Sequence, residues 1–204
     1  MQFSKYLNTV KTGVNLIDKF KLSIFTIIDK IVDIKTLKLN ITVENTDGKF
    51  YCDNLQHVYM YSTNREKEIR KYFKVKEGKT FLDVGANIGK YTIMVANRNP
   101  NSKIIAIEPY GKAVDIIKRN IALNFIENVN IVEKVVSSKE GYIDFFINVE
   151  NPARNSLFRE EISGQSKYLE KDIESKVKKE RLPTVTLDKI VEDKGNVGLI
   201  KLDV

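Results

Sequence analysis

Asp83-Val84-Gly85-Ala86-Asn87-Ile88-Gly89 is the stretch most able to do chemistry, because a strand-like apolar run, Thr80 to Val84, ends on it. A strand that delivers its chain into such a turn and then into a helix presents backbone N–H groups above the sheet edge, where an anion can meet them. Asp83 adds an acid one residue before the turn's entry. Glu108 adds a second, nineteen residues after Gly89, where Lys103 to Ile107 ends and Pro109 stops the strand. Either acid could instead merely cap the helix that follows it.

The glycine spacing separates the familiar cradles. A dinucleotide loop needs glycine at the second and third positions of its fingerprint, and these are Asn87 and Lys90 here. A phosphate-binding P-loop needs four residues between its glycines and Ser or Thr after Lys, whereas Gly85 and Gly89 enclose three residues and Tyr91 follows Lys90. Gly78-Lys79-Thr80 resembles a P-loop tail but precedes the strand. What fits is a loop that tolerates a side chain at its centre and begins just after an acidic strand end.

The elements that must position these residues follow from periodicity. From Lys79 onward apolar strands alternate with helices: strands at Thr80 to Val84, Lys103 to Ile107 and Val129 to Val136, and helices from about Lys90 to Asn97 and from Tyr110 to Asn124. That alternation predicts an α/β fold with a parallel, Rossmann-like sheet. Gly141 to Val149 and Val197 to Val204 have strand composition, and Tyr168 to Arg181 reads as a solvated helix with Leu169, Ile173 and Val177 on one stripe. Glu66 to Phe73 reads as a short charged helix before Gly78.

Residues 1 to 64 read as an N-terminal extension and 65 to 204 as the main domain. Within the extension, Val14, Ile17, Phe20, Ile24, Ile27, Ile28, Ile31 and Ile34 recur at steps of three and four, which predicts an amphipathic helix. Leu37 to Tyr51 alternates and turns at Asp47-Gly48, which predicts a β-hairpin.

The turn resembles the S-adenosylmethionine loop of class I methyltransferases, and several segments together resemble the FkbM-type family. These are Asp83 to Gly89 with Tyr91-Thr92, Ile107-Glu108-Pro109, Asn120 to Asn124, Val135 to Gly141, Pro183 to Asp188, and Ile200-Lys201-Leu202-Asp203-Val204. The resemblance spans about residues 66 to 204 and implies S-adenosylmethionine as cofactor, with methyl transfer to a hydroxyl of a glycan, other natural product or small molecule. It implies a sheet in the order 3-2-1-4, counting strands from Thr80. On this basis Asp83 helps hold the cofactor's ammonium, and N–H groups of Gly85, Ala86, Asn87 and Gly89 meet its carboxylate. Glu108, followed by Pro109, accepts the ribose hydroxyls, and Ser137 borders the adenine. Asp203 orients the acceptor hydroxyl or takes its proton, unless it only caps a loop. Asn155 and Ser156 could touch substrate but read more simply as surface.

Glycine and glutamate are expected after Val204, so the chain reads as a C-terminally incomplete domain whose later strands are missing. An inactive cofactor-binding remnant is the alternative to an active enzyme. Composition narrows the rest. A single cysteine, Cys52, allows no intrachain disulfide and with a single histidine, His57, no Cys/His zinc site, so no metal is expected and a reducing, cytoplasmic compartment fits. The formal charge of +7 is spread among acids rather than blocked together, and stacking aromatics are unclustered, so no nucleic acid is expected. Residues 11 to 38 carry lysines beside an apolar face, which allows peripheral membrane contact.

Overall fold

A computed structural model describes residues 11–28, 38–63, 66–148, 177–194 and 196–203. Helix α1 (Leu16–Ile28) opens it, with Asn15 Oδ1 accepting the Asp18 amide at 2.8 Å as an N-cap. Strands β1 (Lys38–Asn45) and β2 (Gly48–Asn54) form the expected antiparallel hairpin, and a short helix α2 (Leu55–Met60) follows. The helix predicted over 14 to 34 is seen over Leu16–Ile28, and residues 29–37 lie outside the described set. It docks through Leu22 and through Asp18, whose Oδ2 accepts the Thr42 amide at 3.3 Å. The predicted apolar stripe is on the other side: Ile17, Phe20, Ile24, Ile27 and Ile28 are all exposed. Among the described residues no helix is long and apolar enough to cross a membrane.

The main sheet comprises β3 (Thr80–Val84), β4 (Lys103–Ile107), β5 (Val129–Val132) and β9 (Val197–Leu202), all parallel, in the order β5-β4-β3-β9. This is the 3-2-1-4 order expected from the sequence. Helices α3 (Lys90–Arg98) and α4 (Gly111–Leu123) make the crossovers, and every residue of the central strand β3 is buried. Strands buried on both faces read as continuous apolar runs, which is why β3 and β4 were legible.

A second sheet departs from expectation. The strand predicted over Val129 to Val136 breaks after Val132, and β6 (Val135–Val136) leaves the main sheet to pair with β8 (Val177–Val185). Strand β7 (Gly141–Asn148) pairs antiparallel on the other side of β8, giving the order β6-β8-β7. Val177 to Arg181, predicted as part of a helix, therefore lies in β8, its backbone claimed by the β7 ladder; residues 168–176 lie outside the described set. Helix α5 (Leu187–Lys194) then leads into β9. The predicted helix from Glu66 to Phe73 reduces to one 3-10 turn, Arg70–Tyr72.

Extension and sheet share packing across residue 64. Leu39, Ile41, Val43, Phe50, Leu55 and Tyr61 form one buried cluster with Ile88 of the glycine turn and Ile93 of α3. The outer edge of β2 is closed by Asn120 of α4 and by Asn124, the residue that caps its C-terminus. Asn120 Oδ1 accepts the Tyr51 amide at 2.7 Å, and Asn124 accepts the Lys49 amide at 2.8 Å and donates to the Lys49 carbonyl at 2.7 Å. At the hairpin turn, buried Asp47 takes both Arg70 and Arg98.

Candidate functional site

Gly85, Asn87 and Gly89 all have left-handed backbone, with φ of 71°, 51° and 82°, so the turn winds tightly out of β3 into α3. Glycine tolerates this freely, and asparagine is one of the few other residues that does so routinely. The missing side chains make room for the chain itself. A Cβ on Gly85 would stand 1.8 Å from the Asp203 carbonyl oxygen, and one on Gly89 would stand 3.1 Å from Ile117 of α4. Ala86 is buried with Ala106 and Ile117.

Four of the turn's N–H groups are committed. Gly85 and Ala86 both donate to the Ile107 carbonyl at 3.0 Å, Gly89 donates to the Ala86 carbonyl at 2.9 Å, and Asn87 donates to Glu108 Oε2 at 2.8 Å. The four amides read from the sequence as meeting a ligand carboxylate thus have partners within the protein. Those of Gly85, Ala86 and Asn87 tie the turn to the end of β4, and that of Gly89 closes the turn on itself.

Asp83 is fully buried. Its Oδ2 accepts the Thr92 hydroxyl at 2.6 Å, while Oδ1 has no hydrogen-bond partner and faces Lys201 Nζ at 3.1 Å, an ion pair out of line for a hydrogen bond. Lys201 also donates to the Gly85 carbonyl at 2.7 Å and to the Val84 carbonyl at 3.3 Å. Its remaining neighbour is the exposed Asp203 carboxylate, at 3.6 Å. Lys201 thus links the turn to the end of β9, and the Asp203 amide reinforces the link by donating to the Val84 carbonyl.

Glu108 is buried at the end of β4. Its two oxygens accept the amides of Asn87 (2.8 Å) and Tyr110 (3.0 Å), which leaves lone pairs on both. Burial lifts its carboxyl to about 7; the two amides and the Lys201 charge oppose the lift, and Asp83 adds to it. Pro109 ends the strand, and α4 starts after Tyr110.

Asp83, the turn, Glu108 and Asp203 thus come together at the carboxyl ends of β3, β4 and β9. Ser137 follows β6, its amide donating to the Val185 carbonyl at 3.0 Å, and its neighbours Val136 and Val185 pack with Val84 and Ile107 at the ends of β3 and β4. Asn155 and Ser156 lie outside the described residues. Lys201, Thr92 and Asn120 stood in the segments that carry the resemblance but had no role assigned, and Tyr61 was not singled out. Tyr61 and Asn120 Nδ2 both donate to the Ile88 carbonyl, at 2.8 and 3.0 Å, so the extension and α4 together hold the turn. The available signal for Lys201 was a lysine interrupting the apolar run Val197 to Leu202 two residues before a strand-end acid.

A four-stranded parallel sheet in this order, with acids at the ends of its first two strands, defines a Rossmann-like methyltransferase fold. The chain belongs to the TRM5/TYW2 methyltransferase domain family, whose model matches residues 42–175. Among curated proteins it is similar to methyltransferase sdnD of Sordaria araneosa, 26% identical over 136 residues, covering 60% of this chain and 52% of that protein. It is also similar to methyltransferase 1 of Beauveria bassiana, 23% identical over 91 residues, covering 45% and 36%. The chain thus spans about half, or less, of the length of these relatives. Similar solved structures include M. jannaschii TYW2 in complex with AdoMet, at 24% identity, TM-score 0.38 and coverage of 45% of this chain and 41% of that one. P. horikoshii TYW2 in complex with MeSAdo has 20% identity, TM-score 0.40 and coverage of 57% and 48%.

Proposed function

We propose that this chain binds S-adenosylmethionine at the carboxyl ends of β3, β4 and β9 and serves methyl transfer to a hydroxyl. The observation that carries the proposal is Glu108: a buried carboxylate whose oxygens each keep a lone pair, held against the turn by the Asn87 amide. Two adjacent acceptors at the end of the second strand suit the vicinal hydroxyls of a ribose. Asp83 and Lys201 offer an anion and a cation to the zwitterionic end of the same molecule. The residues present therefore fit the cofactor, through side chains more than through the turn's amides.

When bound, the cofactor supplies a methyl group already activated on a sulfonium. The protein's task is to align acceptor and cofactor and to manage one proton. Asp203 stands exposed beside the turn and takes the role of orienting the acceptor hydroxyl or accepting its proton. The finer, FkbM-type assignment rests on Ile107-Glu108-Pro109 and on Ile200 to Val204, and it favours oxygen of a glycan or other natural product as acceptor. Transfer of tritiated methyl from S-adenosylmethionine to a panel of sugars, polyols and phenols tests this, with transfer RNA as a separate arm. Label on the hydroxyl panel, lost in Asp203→Asn, supports the proposal. Label confined to RNA overturns the acceptor class.

Peripheral membrane contact is a second proposal, favoured by the outward face of α1. Ile17 and Phe20 are each 67% exposed, and Lys19 and Lys21 neighbour that face. Phe20→Ser with Ile24→Ser should leave folding intact and abolish co-sedimentation with anionic vesicles. Equal sedimentation of variant and wild type would sink it.

A further inference from the structure

We infer that Lys201 is the group that receives the cofactor's α-carboxylate and so makes the site prefer ligands with a complete amino-acid end; this rests on the cofactor proposal above. The turn is the expected receiver, but four of its amides, those of Gly85, Ala86, Asn87 and Gly89, are bonded within the protein, which leaves it a weak one. Lys201 places a cation at the same point. Its ammonium lies within hydrogen-bond distance of the Gly85 and Val84 carbonyls, 3.1 Å from the buried Asp83 oxygen and 5.8 Å from the centre of the Tyr91 ring.

The order of these distances says which partners can yield. The bond to Gly85 is short, and the pairing with Asp83 compensates a carboxylate that has no access to water, so both persist. Asp203, at 3.6 Å, is a loose partner whose side chain is 79% exposed. One carboxylate already occupies the open side of Lys201, and a ligand carboxylate can replace it. That exchange frees Asp203 to face the acceptor hydroxyl, so ordering of the cofactor's tail and readiness of the base become one event. Because Lys201 already neutralises Asp83, the ligand's ammonium gains less from that acid than its carboxylate gains from Lys201.

Calorimetric titration of the full chain with three ligands tests the assignment. S-adenosylhomocysteine carries both charges, its decarboxylated analogue carries only the ammonium, and 5′-deoxy-5′-methylthioadenosine carries neither. Wild type should bind S-adenosylhomocysteine about tenfold or more tighter than the other two, as expected for a charge-assisted pair. Lys201→Gln should lose that preference while changing affinity for the two carboxylate-free ligands by no more than about twofold, and Lys201→Arg should restore part of it. The assignment is overturned if the decarboxylated analogue binds wild type as tightly as S-adenosylhomocysteine, or if Lys201→Gln weakens all three alike. Should Lys201→Gln not fold, the wild-type series alone decides. If wild type binds none of the three, the cofactor proposal itself falls, and this assignment with it.

Discussion

Glu108 is held in a state of tension: two amides favour its charged form, yet burial outweighs them and lifts the carboxyl from 4.5 to about 7. A raised folded value means that the native state holds more protons than the unfolded chain between those two limits. Stability therefore falls as pH rises from 4.5 to about 7 and is level above, with a cost of about 3 kcal/mol fully present at pH 8. Glu108→Gln should flatten this dependence: the difference in unfolding free energy between pH 5 and pH 8 should shrink by about 3 kcal/mol. Urea melts at the two pH values check this, and an unchanged difference would remove Glu108 as its source. Hydroxyl donors favour the charged carboxylate, so cofactor affinity should rise as pH passes upward through 7, with proton release on binding at pH 6.5. Calorimetry in buffers of different ionisation enthalpy reads that release directly. The placement of Asp83 and Glu108 was legible in the sequence because each stands at the end of a continuous apolar run. Lys201 was not, since a single lysine in a strand looks like a solvent-facing residue until the fold lays it over the turn.

At the level of elements, α4 closes the hairpin edge with Asn120 and Asn124, which lie one helical turn apart and match alternate residues of β2. Asn120 is fully buried and also joins Tyr61 to the Ile88 carbonyl. Asn120→Ala would strand the Tyr51 amide and loosen the turn, costing about 3 kcal/mol, whereas Asn124→Ala, at a half-open position, should cost about 1 kcal/mol. Chemical denaturation of the two variants checks the order; equal losses would show that the edge closure does not depend on burial. The elements themselves were mostly foreseeable, because β3, β4, α3 and α4 have clean periods and α4 ends at Asn124 as expected. Failures fell where tertiary pairing decides. Val135 and Val136 continue the apolar run of β5, yet they are claimed by Thr184 and Val185 in the other sheet. Lys178 to Arg181 look helical in composition and are held extended by four of the ladder pairs between β7 and β8.

Taken as a whole, the molecule has no clean division at residue 64. Tyr61, stacked on Phe50 at 4.2 Å, sits in the same buried cluster as Ile88 and Ile93, and the family model likewise begins inside β1. A chain starting at residue 66 should therefore lose cooperative thermal unfolding, since Ile88, Ile93 and Asn120 would face water. A sharp transition in that shortened chain would contradict this. Alternation in the hairpin was visible in the sequence, but what it packed on was not, because a half-buried strand pattern names the face that is covered and not its cover.

The central claim is that a nucleoside with an amino-acid tail lies across the ends of β3, β4 and β9, held by Glu108 and the Asp83–Lys201 pair. Amide NMR of the labelled chain, titrated with S-adenosylhomocysteine at pH 7.5, tests it most directly. The account predicts saturable shifts at Asn87 and Tyr110, whose N–H groups share Glu108, and at Gly85 and Lys201. Saturable binding that leaves these four signals in place would contradict it.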